Sequence, residues 1–392
     1  METIMMLGAS ERHVPFIEKA VRNGYFVVCL DQDPDAPGFE YATAKEIISI
    51  KDEDHYVLYT ARKYKINACV SIPDIGLRSA SYVNTLLGLK GLKYHTYNIL
   101  SNKAIAKYIF SGVGVRTPLL YNGEYIDESD FPVVAKPVKS TGSQDVVKLT
   151  SLDMLIHFLS TCKYGSFIVE KYIEGDHVSV DIVMKDGKAQ YWLMQDRYLT
   201  YEDCFVDGII ISPSKYYDHF WLKGALPKIA ETACMAVGLT DGPANVQFIV
   251  DKGETPFLIE INPRVSGPYG IECHSLATHT CWFMDMVKIA LGKRINNNSC
   301  IEPIKPNACI TIGAEESGYI QGWTYPIEEF NAVYKWHWKY IDDYVNKFKV
   351  VKDSVKHICI TGDDVEEVKE RAFKIARESK VIIGGKDNGK ES

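Results

Sequence analysis

The sequence predicts a mixed α/β and α+β protein of more than one domain, and three observations carry that reading. The chain has 392 residues, more than one core of roughly 250–300 residues accommodates. Its first hundred residues alternate apolar runs with amphipathic stretches in βαβ order, the pattern of a parallel sheet. From about Asn102 the texture changes to apolar runs paired across tight polar turns, the pattern of antiparallel sheets.

Taken in order, Ile4 to Leu7 reads as a strand, Val14 to Arg22 as a helix stopped by Asn23-Gly24, and Tyr25 to Leu30 as a second strand ending at Asp31. A helix around His55 to Tyr64, a strand at Ala68 to Ile72 and a helix near Leu77 to Leu87 complete the first unit. Gly8-Ala9-Ser10 with Asp31 hints at a dinucleotide site. The three-glycine fingerprint is missing, so a half-Rossmann scaffold is the expected role. Strands follow at Pro132 to Pro137, Asp145 to Leu149 and Phe167 to Glu170, with a helix near Leu152 to Leu159. Val178 to Met184 and Ala189 to Met194 form a hairpin across Lys185-Asp186-Gly187-Lys188. A helix from Phe220 to Val237, a hairpin over Ala244 to Ile261 and a single helix from Ser275 to Leu291 come next. Asn296 to Pro306 reads as a boundary loop. A strand at Val355 to Ile360 and a helix over Val365 to Arg377 close the chain.

Composition narrows the function. Apolar residues make up 46% and charged residues 24%, ordinary for a folded water-soluble domain. The 44 basic against 51 acidic residues give a charge of −7 without a long basic run, which argues against nucleic acid as a partner. No apolar stretch reaches the roughly 18 residues of a bilayer span, and the start lacks a basic leader. No membrane partner is therefore expected, and the cytoplasm is the expected compartment. Ten cysteines occur singly, several inside apolar runs, and are expected to be reduced core residues.

The hairpin Asn245-Val246-Gln247-Phe248-Ile249-Val250 and Phe257-Leu258-Ile259-Glu260-Ile261-Asn262-Pro263-Arg264 is the most informative segment. With a side-chain period of two, Gln247 shares a face with Asn245, while Glu260, Asn262 and Arg264 share a face of the partner strand. Glu260 and Asn262 offer hard oxygen ligands that suit Mg²⁺ held jointly with nucleotide phosphates. Arg264 is placed to brace a phosphoryl group. The plain alternative is a solvated hairpin face, which Pro263 disfavours by ending the strand where a site would open.

This hairpin resembles the metal-binding hairpin of ATP-grasp ligases, and other segments fit that family in order. Ser101-Asn102-Lys103 resembles the helix start carrying its first nucleotide lysine. Val133-Val134-Ala135-Lys136-Pro137 resembles the strand of its second, followed by a phosphate loop with Ser140, Thr141, Gly142 and Ser143. Ile168-Val169-Glu170-Lys171-Tyr172-Ile173-Glu174-Gly175 resembles the hinge that holds adenine. The resemblance implies an ATP-grasp fold with a pre-ATP-grasp domain at 1–100, a core at 101–295 whose lid spans about 117–190, and a C-terminal lobe at 296–392. It implies ATP and Mg²⁺, with Mn²⁺ as a second candidate metal. Gln247, Glu260 and Asn262 would hold the metal, and Glu174 or Asp176 the ribose. Gln247 departs from the acid that many members carry, which removes one negative charge from the metal site.

The implied reaction is ATP-dependent joining of a small carboxylate to an amine through an acyl phosphate, releasing ADP and phosphate. Lys136, Arg264, Ser266 and Gly267 would face the reacting groups. Two readings compete: a purine-pathway carboxylase or formyl ligase, which shares every nucleotide residue, and a degenerate nucleotide sensor, which Gln247 keeps open. A homodimer is what the resemblance suggests. Arg197 and Lys215 are expected in exposed salt bridges, and His274 and His279 in helix packing rather than at zinc.

Overall fold

The computed structural model describes residues 1–51, 53–121, 126–140, 142–162, 165–201, 204–267, 269–295, 305–326 and 332–385. The parallel unit is a four-stranded sheet of β1 (Thr3–Leu7), β2 (Phe26–Asp31), β3 (Ala44–Ile47) and β4 (Ala68–Ser71), in the order β3-β2-β1-β4. The expected helix Val14–Arg22 is present and ends at Asn23, where Gly24 takes a left-handed φ of 84°. β3 was not expected. Its four residues alternate half-buried and exposed at the sheet edge, leaving no apolar run to announce it.

A second four-stranded sheet holds β5 (Leu120–Tyr121), β6 (Val133–Pro137), β7 (Val147–Leu149) and β8 (Phe167–Lys171), all antiparallel. The main sheet has eight strands among the described residues. Its strands are β9 (Gly175–Lys185), β10 (Lys188–Leu199), β11 (Asp207–Ser212), β12 (Gly242–Asp251), β13 (Pro256–Asn262), β14 (Asn307–Gly313), β16 (Tyr334–His337) and β18 (Ser354–Thr361). They run β13-β12-β9-β10-β11-β14-β18-β16, so hydrogen bonding continues from the central hairpins into the strands beyond residue 305. Three short strands, β15 (Gly318–Thr324), β17 (Tyr344–Val345) and β19 (Lys380–Gly384), make a separate patch.

Alternation along β9 sets up both faces of the main sheet. Val178, Val180, Ile182 and Met184 form a core with Leu222, Leu226, Ala230 and Ala233 of the helix Leu222–Ala236. Ser179 and Asp181 therefore point to the opposite face. Further along, Val368, Ala372 and Ile375 of the helix Val365–Glu378 cluster with Ile209, Ile310, Ile358 and Ile360, as their helical spacing predicts. Gly175 opens β9 where no other residue fits, since a Cβ there would lie 2.1 Å from the Val250 carbonyl oxygen.

One expected helix is two. Gly270–Thr278 and Trp282–Ala290 are separated at His279, which adopts a left-handed φ of 50°. No glycine or proline marks the break. Nine cysteines lie among the described residues as free thiols; seven are buried, as expected of core residues, while Cys162 and Cys281 are half-buried, and Cys300 lies outside the described residues. None of the described helices is long and apolar enough to cross a membrane.

Candidate active site

The site starts from local signals. Asn102 caps the helix Lys103–Gly112 by accepting from Ile105 N at 3.2 Å, which fixes where Lys103 begins the first turn. Four residues on, Lys107 shares that helical face. On the second four-stranded sheet Lys136 pairs with Ile168 and Val134 with Glu170, so Lys136 and Glu170 lie diagonally on one face. The result is a buried triad. Glu170 meets Lys136 through Oε1 and lies 2.8 Å from Lys107 Nζ through Oε2, the latter a charge contact without hydrogen-bond alignment. Burial pushes Lys107 down to about 8. Burial would raise the Glu170 carboxyl, but Lys136 and Lys107 hold it below the usual carboxylate range.

Register carries a polar row across the main sheet. Gln195 on β10 faces Ser179 on β9, Ser179 faces Gln247 on β12, and Gln247 faces Glu260 on β13. One pair along, Asp181 faces Asn245 and Asn245 faces Asn262. Gln247 Nε2 donates to Asn245 Oδ1 at 2.9 Å and Asn262 Nδ2 to Glu260 Oε1 at 3.1 Å. Both amide oxygens are thereby left for another partner. Burial works against the Glu260 charge, but Lys103, the Asn262 amide, Lys136 and Arg197 together keep its carboxyl low. One carboxylate and two amide oxygens form a hard-donor set, fit for a divalent cation that takes its remaining ligands from phosphates. Among the described residues no His, Cys, Asp and Glu cluster of three competes for it.

The loop after β6 is tied down at both ends. Lys103 Nζ donates to the Ser140 carbonyl at 2.8 Å and approaches Ser140 Oγ at 3.1 Å. Ser143 Oγ donates to the Phe205 carbonyl at 2.7 Å, and Val351 N reaches the Gly142 carbonyl at 3.4 Å. Thr141 lies outside the described residues.

Two cavities meet here. One of about 600 Å³ is lined by Lys103, Lys107, Ser140, Glu260 and Asn262. The other, about 1030 Å³, is lined by Arg264, Ser266 and Gly267 on one side and by residues of the parallel unit on the other. Asp74 lines both. Arg264 does not point free into either, because its Nε and Nη2 bond Asp74 at 2.6 and 3.0 Å. Ser266 is fixed from below: its N–H donates to Asp181 Oδ1 at 2.8 Å and its hydroxyl to Gln195 Oε1 at 3.1 Å.

Residues 99–268 match the ATP-grasp domain. The chain carries an ATP-grasp domain. Over 192 residues it is 27% identical to D-alanine–D-alanine ligase of Francisella tularensis subsp. tularensis, covering 46% of this chain and 64% of that one. The chain thus spans just under two thirds of that relative's length. Its fold is that of the L-amino acid ligase from Bacillus licheniformis, with a TM-score of 0.82, 18% identity and 98% and 99% of the two chains covered. The N5-carboxyaminoimidazole ribonucleotide synthetase from Thermotoga maritima is also similar in fold, with a TM-score of 0.73, 17% identity and 98% and 100% of the two chains covered.

Within the ATP-grasp domain, Lys103, Ser140, Glu260 and Asn262 converge on one cavity, as their order in the sequence suggests. The hinge residues differ in state. Lys171 N and Tyr172 N bond the Leu119 and Pro132 carbonyls, and the Glu170 side chain is buried between two lysines instead of open to a base. Ile173 is half-buried beside them. Glu174 is exposed and paired with Lys252 at 3.1 Å, while Asp176 accepts from Tyr216 Oη at 2.6 Å and pairs with Lys215 at 2.8 Å. Arg197 is not an exposed bridge: it pairs with Asp207 at 12% and 15% side-chain exposure. His274 is buried against Trp282, the packing role expected of it. Outside the ATP-grasp domain, Asp31 accepts from Ala9 N at 2.8 Å, and with Gly8 and Ser10 it also lines the larger cavity. Lys107 and Asp74 escaped sequence reasoning.

Proposed function

We propose that this chain is an ATP-dependent carboxylate–amine ligase that forms an acyl phosphate and releases ADP and phosphate. The observation that carries the reading is the junction of the two cavities at Asp74 and Arg264, with Lys103, Glu260 and Asn262 on one side and Ser266 and Gly267 on the other. Nucleotide phosphates suit the lysine-lined side, and a small acid and amine suit the larger one. The ligase names of the sequence relative and of the fold relative support the same class.

Lys103 and Lys136 would neutralise phosphate oxygens as point charges, with Ser140, Gly142 and Ser143 beside them. Gln247, Glu260 and Asn262 would hold Mg²⁺, or Mn²⁺, which spreads charge on the phosphoryl oxygens when bound. Arg264, anchored by Asp74, would orient the carboxylate so that its oxygen attacks the γ-phosphorus while the bond to ADP breaks. The amine nitrogen then attacks the acyl carbon, phosphate leaves, and the nitrogen gives up a proton. Ser266 N–H is held by Asp181 and its hydroxyl by Gln195, so Ser266 would position the turn and the backbone N–H of Gly267 would be the donor left for the developing oxyanion.

The test is ADP and phosphate release, with Mg²⁺ and ATP, screened against amino acid pairs, bicarbonate and formate. Release with an acid and an amine together supports the ligase. Release with bicarbonate or formate moves the protein to the carboxylase or formyl-ligase class. Nucleotide binding without turnover on any of them overturns the enzymatic reading in favour of a sensor.

A further inference from the structure

We infer that Asp181 is a positioning residue for the proposed cation site: acting through Asn245, it turns the Gln247 amide so that its oxygen, and not its nitrogen, faces the cation. The inference rests on the ligase reading for the nucleotide and the cation. A carboxylate presents an oxygen whichever way it turns, whereas an amide does so in only one of its two orientations. A glutamine in the metal set therefore needs something to orient it.

Asp181 on β9 lies opposite Asn245 on β12, and the two are buried, at 0% and 2% exposure. An ionised carboxylate can only accept hydrogen bonds. Ser266 N–H donates to Asp181 Oδ1 at 2.8 Å, and Asn245 Nδ2 donates to Oδ2 at 3.4 Å. His274, fully buried, brings Nε2 to 2.8 Å from Oδ2 in a contact without hydrogen-bond alignment.

The direction of every later bond follows from that acceptor. With its NH₂ turned to Asp181, Asn245 has its oxygen left for the residue two positions along, and Gln247 Nε2 donates to it at 2.9 Å. The Gln247 oxygen is then the free end, on the strand face where Gln247 stands opposite Glu260. Reversing Gln247 alone would set its oxygen against Asn245 Oδ1. Reversing Asn245 as well would set its oxygen against the Asp181 carboxylate, a repulsion that burial makes costly. Asn262 is oriented by a carboxylate too, donating Nδ2 to Glu260 Oε1 at 3.1 Å, but Glu260 is itself a member of the metal set and lines a cavity. Asp181 lines neither cavity, so it acts on the cation only through Asn245.

Calorimetry of a non-hydrolysable ATP analogue on the whole chain, once with Mg²⁺ and once with EDTA, tests this. The ratio of the two Kd values reads the cation's share of binding without any turnover. Asp181→Asn can offer Asn245 either an oxygen or an NH₂, so it releases the fixed order and should cut that ratio by about 10-fold, the scale for losing a partner that orients a metal ligand. The Kd in EDTA should stay within about 2-fold of wild type. A missing charge or a loosened Ser266 turn would lower the ratio whatever stood at position 247. An orienting role would not: in a Gln247→Glu background, where either orientation presents an oxygen, Asp181→Asn should change the ratio by less than about 2-fold. Asn245→Leu, the variant to use if Asp181→Asn does not fold, removes the middle of the relay and should give the same pair of results. An equal loss in both backgrounds, or no loss in either, overturns the relay and leaves the ligase reading standing. A wild-type ratio near one overturns the relay together with the cation assignment, and absence of nucleotide heat overturns the ATP-dependent reading and the relay with it.

Discussion

Asp74 and Arg264, 190 positions apart in the chain, are joined by two parallel hydrogen bonds of 2.6 and 3.0 Å, and this pair closes the gap between the parallel unit and the end of β13. Asp74 is the first residue of the helix Asp74–Leu86, so the fold of the parallel unit decides where the arginine that follows β13 points. Burial would lower the guanidinium's proton affinity, but Asp74 more than restores it. Replacing Asp74 by Asn keeps the shape and removes the charge. We expect kcat/KM for ADP release to fall by about 10- to 100-fold with nucleotide affinity little changed, since only the orientation of the acid substrate is lost.

Glu260 supplies the only carboxylate of the proposed metal set among the described residues. Glu260→Ala should abolish turnover, by about 1000-fold or more, while far-UV circular dichroism stays unchanged. A magnesium titration of phosphate release that looks the same in the variant would show that the cation is held elsewhere.

Lys107 is 3% and Glu170 5% exposed at the side chain, so their contact is fully internal. Lys107→Met leaves the carboxylate with Lys136 alone. A loss of about 3 kcal/mol is expected, the scale for breaking a buried ion pair by removing one partner. Thermal melting of the variant measures it.

His13 and His357 make stability depend on pH. Their folded values, about 4 and about 3, lie below the unfolded 6.5, so the unfolded chain binds protons the folded one refuses. Their contribution is complete above pH 6.5 and is lost as pH falls towards 4 and then 3. The total is on the order of several kcal/mol by linkage. His357→Gln should flatten the melting-temperature profile across that window, and an unchanged slope would assign the acid sensitivity to other groups.

What could be read in advance follows from the range of each interaction. The β12 and β13 hairpin was legible because its partners are close in sequence and its alternation is regular, and the register does set Gln247 opposite Glu260. Lys103 was legible because a cap opens its helix, whereas Lys136, one residue before the end of β6, has its side chain buried against Glu170 and lines neither cavity. Lys107 was not legible, since a lysine one turn along a helix looks like any solvated charge until Glu170 is brought over it. Asp74 stood in the same position, as its partner comes from the far end of the site. The break at His279 had no glycine or proline to reveal it, so periodicity alone ran the two helices together.

The main sheet has one further implication. β11 hydrogen-bonds to β14, pairing Ile209 with Ile310 and Ile211 with Ala308. Any fragment cut off before residue 305 would leave Ile209, Ile210 and Ile211 on a bare, flat border whose amides and carbonyls seek a strand from a neighbouring molecule. The strands after residue 305 cover that edge, and a fragment shortened to the matched segment is expected to self-associate through it.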